Sequence, residues 1–155
     1  HQAGLIALAA GDSERAQQYL DDAITIRRRR WSEVNERVWR PVLDRVEATL
    51  DPNERRAFLR AEIRLMAQRG VSTWRIAVLT RELGAAERLL GEFSSAERAL
   101  IDAWSVFQPM LGEAHELSRA TAMELFMLYD AQGQWSEAEK WRDRAEGGIN
   151  AVRGG

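Results

Sequence analysis

Four consecutive arginines beside a tryptophan, Arg27-Arg28-Arg29-Arg30-Trp31, form the one charge run in this 155-residue chain. Such a run can grip phosphates while the indole stacks on a base. It also has a structural use, because basic residues in a helix's last turn complement its dipole and arginine stems cover apolar surface. The charge balance favours the structural use. The 22 basic residues face 24 acidic ones, whereas a nucleic-acid binder usually carries a basic surplus. No nucleic acid is therefore expected as a partner. Arg81 and Arg88 lie seven apart, two turns along one helical face, and could hold a carboxylate or close an internal ion pair. Met123 and Met127, four apart, would make either a soft, adaptable ridge or part of a core stripe.

No set of acid, base and nucleophile converges. The chain has no cysteine, and its two histidines, His1 and His115, are too few for a zinc site. A glycine-rich phosphate loop, a G-x-S-x-G elbow and an H-E-x-x-H helix are all missing. The expectation is no catalytic residue, no metal and no cofactor, hence no enzyme. No apolar run reaches 18 residues, so no membrane span is expected. The first residues show no signal peptide and read as the middle of a helix, which predicts a larger parent polypeptide. Arginine outnumbers lysine 21 to 1, a bias that suggests a GC-rich bacterial source and a cytoplasmic location.

The elements that must position these residues are helices. Apolar residues recur at helical spacing: Ala16, Tyr19, Leu20, Ala23 and Ile24; Ala96, Leu100, Ala103, Trp104 and Phe107; Ala122, Leu125, Phe126 and Tyr129. Gly70, Gly91, Gly112 and Gly133 sit where helices should stop. Start signals follow: Ser94 with Glu97 and Ser136 with Glu139 as capping boxes, and Asp51-Pro52-Asn53-Glu54 as cap, first-turn proline and acid. These signals predict eight helices over roughly 1–10, 13–30, 33–50, 52–69, 71–90, 94–108, 115–132 and 136–147, paired into four hairpins. Pro41 interrupts the third. The spacing of Val34, Val38, Val42, Val46 and Leu50 favours one helix kinked at the proline over two pieces. Trp104 and Trp135 fall on core-facing positions.

Self-comparison shows a repeat. Gly91-Glu92-Phe93-Ser94-Ser95-Ala96-Glu97 matches Gly133-Gln134-Trp135-Ser136-Glu137-Ala138-Glu139 at a shift of 42, and Gly11 to Ala23 fits the same frame. With Gly4, Gly11, Ala16 and Ala23, then Gly84, Gly91, Phe93, Ala96 and Ala103, then Gly133, Trp135, Ala138 and Ala145, the chain resembles the tetratricopeptide repeat family. The Leu111-Gly112-Glu113-Ala114-His115 connection is similar to that of its 42-residue variant, known from kinesin light chains and from arrays on bacterial serine/threonine kinases. Two departures stand out: Phe126 where a small residue is usual, and Arg142 where a large apolar one is.

The resemblance implies an all-α fold, a right-handed superhelical stack of antiparallel helix hairpins. It implies one domain over 1–155: a partial repeat at 1–30, a degenerate hairpin at 31–70, repeats at 71–112 and 113–147, and a flexible tail at 148–155. It also implies that the first helix of each hairpin lines a concave, peptide-gripping face. By register that face carries Arg81, Glu82 and Arg88 in one repeat and Met123, Glu124, Met127 and Asp130 in the next. The family's carboxylate clamp looks absent, since Arg81 and Ala85 occupy two of its positions. The expected function is binding of a protein or peptide, including a segment of the same polypeptide, as a regulatory or sensory part of a bacterial signalling protein. The alternative is a structural spacer or oligomerisation scaffold. The oligomeric state is not legible.

Overall fold

Helices form here wherever a stripe of apolar residues lies between two turn signals. The computed structural model describes residues 1–33 and 35–153, with side chains described through residue 147. Among these residues are eight helices and no strand: α1 (Gln2–Ala9), α2 (Ser13–Arg28), α3 (Glu36–Ala48), α4 (Pro52–Gln68), α5 (Thr73–Leu89), α6 (Phe93–Leu111), α7 (Glu116–Ala131) and α8 (Trp135–Arg153). The chain divides into two compact units, His1–Ser72 and Thr73–Gly155.

In the second unit α5 packs on α6, α7 packs on α8, and α7 also packs on α6. The turns between paired helices are built alike. Gly91 and Gly133 take φ of +75° and +69°, left-handed values that a Cβ would oppose. The next residue then donates its N–H five residues back, Glu92 to the Glu87 carbonyl and Gln134 to that of Tyr129, both at 2.9 Å. Close crossing depends on small residues. Ala96 and Ala103 are fully buried, and Ala138 and Ala145 nearly so. A Cβ at Gly84 would lie 2.6 Å from Leu100 Cγ and 3.2 Å from the Ala96 carbonyl oxygen, so α5 and α6 touch backbone to side chain there. The core joins Leu100, Trp104, Leu125, Leu128, Tyr129 and Trp141, each worth about 1.5–3 kcal/mol of burial. Trp104 and Trp141 meet edge to face, with centroids 5.1 Å apart.

The first unit repeats that crossing. A Cβ at Gly4 would lie 2.7 Å from Leu20 Cγ, and Ala16 and Leu20 are fully buried. Helix α3 packs on α2, where Ser13 Oγ donates to the Ala48 carbonyl at 2.5 Å and Gln17 Nε2 to the same oxygen at 3.3 Å. By contrast, α3 and α4 approach closely over only a few residues, as befits a hairpin without the glycine-alanine signature. Polar groups join them instead: Arg55 Nε donates to the Thr49 carbonyl at 2.9 Å. Burial pushes the Asp44 carboxyl above its ordinary range, against the pull of Arg40 and Arg27.

Pro41 lies inside α3 and is buried. It has no N–H to give the carbonyl of Arg37, four residues back. Arg27 Nη1 donates to that carbonyl at 2.7 Å, so a guanidinium supplies what the proline withholds. Arg28 and Arg30 of the run are also engaged within the unit, while Arg29 is exposed. Arg28 pairs with buried Glu33 at 2.9 Å and makes two bonds to buried Glu62, while Arg69 reaches Glu33 at 2.7 Å. The guanidinium groups of Arg30 and Arg37 lie 5.5 and 4.9 Å from the Trp31 ring centroid.

Several expectations need correction. Helix α6 starts at Phe93 with Glu92 as its cap residue, and no side chain caps it; α8 starts at Trp135. Ser94 and Ser136 are therefore second helical residues and not caps. Glu97 accepts a bond from Tyr129 Oη, and Glu139 pairs with Arg142. Asp12, Asn35, Asp51 and His115 do cap α2, α3, α4 and α7 with their side chains. Tyr19 and Trp135, expected inward, are 45% and 69% exposed. Helix α3 begins at Glu36, Leu50 lies past its end and is exposed, and Val34 is outside the described residues. Helix α8 continues to Arg153, beyond the expected end at 147. Of the expected tail, Gly154 and Gly155 lie outside the described residues.

Candidate partner-binding face

All seven residues assigned to a partner-binding face belong to α5 and α7. These two helices lie side by side in the second unit because each is the first helix of its hairpin. Arg88 and Glu124 bridge them, Nε and Nη2 both 3.1 Å from Oε2. Both side chains are largely covered, so water weakens this pair less than it would a surface pair.

Arg81 turns along its own helix, with Nη2 2.5 Å from Glu82 Oε1. Its Nε is buried and has no hydrogen-bond partner among the described residues. Both arginines thus spend their charge on neighbours in the fold. Met123 is 38% exposed and Met127 is half-buried. Met123 lines a cleft of about 240 Å³ with Glu116, Arg119, Ala120 and Ala145, where Arg119 Nε donates to the Ala145 carbonyl at 3.0 Å.

Asp130 departs from the set. It is exposed and lines a separate cleft of about 210 Å³ with Phe126, Trp135, Ala138, Glu139 and Arg142. The seven residues therefore comprise a cross-helix ion pair, an intrahelical ion pair, two methionines and an exposed acid one turn beyond Met127.

Sequence reasoning missed the bond from Tyr129 Oη to Glu97 at 2.7 Å. Burial and this carboxylate hold the phenol above its usual range. It also missed a cleft of about 360 Å³ lined by Trp74, Met110, Leu111, His115 and Leu117. His115 in that cleft also caps α7: its Nδ1 accepts the Leu117 N–H at 3.1 Å. Among the described residues no group of three or more His, Cys, Asp or Glu side chains could hold a metal ion. Nor is any helix among them long and apolar enough to cross a membrane.

No family model matches the chain, and no curated protein does. Among solved structures, BtubC (BKLC) from P. vanneervenii, a kinesin light chain-like tetratricopeptide-repeat protein, is similar with a TM-score of 0.78 at 18% identity. The likeness covers 92% of this chain and 57% of that one, so the chain spans a little over half of its neighbour's length. At that identity the likeness speaks to fold alone, and the fold is a tetratricopeptide-like helical repeat.

Proposed function

We propose that this chain is a protein-interaction module that holds a peptide or protein segment along the wall made by α5 and α7. The observation that carries the reading is Met123, a large apolar side chain left 38% exposed beside half-buried Met127 on α7, which packs beside α5. A flexible thioether ridge suits partners of varied shape. With Arg81 and Arg88 bound to Glu82 and Glu124, apolar contact supplies the anchor and charge supplies register. The tetratricopeptide-like fold supports the same reading, as does the resemblance to repeat arrays on bacterial kinases, which favours a regulatory place in a larger cytoplasmic signalling protein. The internal pairing of both arginines supports a second reading, a structural spacer that offers its groove to nothing.

A random peptide library displayed on phage and selected against the chain separates the two. Enriched peptides should lose about tenfold in affinity on Met123→Lys or Met127→Lys, as expected for a central apolar contact, and keep it on Glu14→Ala in the first unit. Enriched peptides indifferent to both methionine variants, or no enrichment, would favour the spacer.

A further inference from the structure

The α2–α3 and α6–α7 connections are built alike and finished differently. A shift of 80 carries Trp31, Asn35 and Arg37 onto Leu111, His115 and Leu117, in the register that also carries Gly4 and Leu20 onto Gly84 and Leu100. In each connection the cap side chain accepts the N–H two residues on: Asn35 Oδ1 from Arg37 at 2.9 Å, His115 Nδ1 from Leu117 at 3.1 Å. In the first unit the half-buried Trp31 indole has the Arg30 and Arg37 guanidiniums against it. In the second, Leu111 takes the tryptophan's position, and beside it lies the cleft of about 360 Å³. Its walls are the start of α5, the end of α6 and the start of α7, so the helix that follows α6 is already one of them. Met110 and Leu111 are nevertheless 55% and 36% exposed there.

Capping alone does not call for a histidine at 115, since Asn35 caps α3 in the same way. The imidazole adds a donor. A neutral ring that accepts at Nδ1 carries its hydrogen on Nε2, and no described residue accepts that hydrogen. We infer that the cleft binds a small aromatic molecule that presents a carbonyl oxygen to His115 Nε2. The first unit argues for the ring, because an indole is what this register holds there. In the second unit the Trp74 indole gives the ring an aromatic neighbour, and Met110, Leu111 and Leu117 give it apolar cover. The volume is at the low end of small-molecule sites, room for one or two rings. The site is separate from the methionine wall and does not rest on it.

Two probes of nearly equal size test it by fluorine NMR titration: para-fluoroacetophenone, which has the carbonyl, and para-fluoroethylbenzene, which lacks it. Both should bind saturably. His115→Asp keeps an acceptor for the cap, as Asp12 and Asp51 provide for α2 and α4, but offers no hydrogen to a ligand. It should lower the ketone's affinity relative to that of its twin about fivefold, the worth of one hydrogen bond. Leu111→Trp restores the first unit's residue at this register and should abolish binding of both probes by filling the cleft. Circular dichroism checks that each variant keeps the fold, and His115→Asp decides the matter if Leu111→Trp does not. No saturable binding of either probe, a ratio of affinities unmoved by His115→Asp, or binding that survives a folded Leu111→Trp would overturn the inference.

Discussion

Replacing Gly84 by alanine puts a methyl group where Leu100 already is. The new Cβ would lie 2.6 Å from Leu100 Cγ, 2.8 Å from its Cδ2 and 3.2 Å from the Ala96 carbonyl oxygen. Leu100 is fully buried and has no free space to turn into. Overpacking of this kind costs about 1–3 kcal/mol, while alanine gains about 1 kcal/mol over glycine inside a helix. The net expectation is a loss of about 1 kcal/mol, or about 2–4 °C in Tm for a chain of this size. Leu100→Ala alone should cost about 2–5 kcal/mol through the cavity it leaves. In that background the two leucine atoms are gone and only the Ala96 carbonyl oxygen at 3.2 Å still crowds the new methyl, so Gly84→Ala should turn from destabilising to stabilising, by at most its propensity gain of about 1 kcal/mol. The sign of one substitution thus reverses with the identity of a residue 16 positions away. Urea unfolding of the four proteins, followed by far-UV circular dichroism and tryptophan fluorescence, reads this as a double-mutant cycle. If Gly84→Ala stabilised both backgrounds equally, the close crossing of α5 and α6 would be wrong. Gly4 with Leu20 supplies an independent repeat of the experiment in the first unit.

Three further outcomes follow from contacts already described. Arg27→Ala hands the exposed Arg37 carbonyl to water and should cost about 0.5–1 kcal/mol; in a Pro41→Ala background, where the helix supplies an N–H, urea midpoints should show most of that cost gone. Arg28→Met strands the buried carboxylate of Glu62 and leaves Glu33 with Arg69 as its cation; it should cost about 3–5 kcal/mol, whereas adding Glu62→Gln to it should recover part of the loss. Tyr129→Phe removes the bond to Glu97 and should cost about 1–2 kcal/mol at neutral pH. The phenol's folded-state pKa is raised by burial first and by Glu97 second, so its contribution is intact below the ordinary tyrosine value near 10 and is lost as pH climbs through the raised one. Stability of the parent should therefore fall more steeply than that of Tyr129→Phe in alkaline urea titrations, and parallel curves would refute the assignment.

The repeat was legible because it is written in small residues. Ala96, Ala103, Ala138 and Ala145 recur at fixed intervals, and all four are buried at crossings. Gly70, Gly91, Gly112 and Gly133 were legible for a local reason, since their positive φ is a property of a few consecutive residues. What the sequence hid depends on partners distant along the chain. Trp135 repeats the position of Phe93 yet stands in solvent, because α7 covers the one and no described element covers the other. The Ser94–Glu97 pattern has the spacing of a capping box, but Glu97 is drawn away by Tyr129, 32 residues on. The candidate site was half legible. Register named Arg88 and Glu124, though not that they would meet each other, and it named Asp130 without showing that it also lines a cleft with Trp135 and Arg142.

Arg27 and Pro41 bear unequally on each other. A lineage that first exchanged Pro41 for an ordinary helical residue would give the Arg37 carbonyl its own N–H, and Arg27 would then be free to vary. One that lost Arg27 first would leave that carbonyl to water, a weaker answer than the guanidinium, until the proline went too. Losing the arginine first is the costlier order, so relatives that keep the arginine without the proline should outnumber those that keep the proline without the arginine.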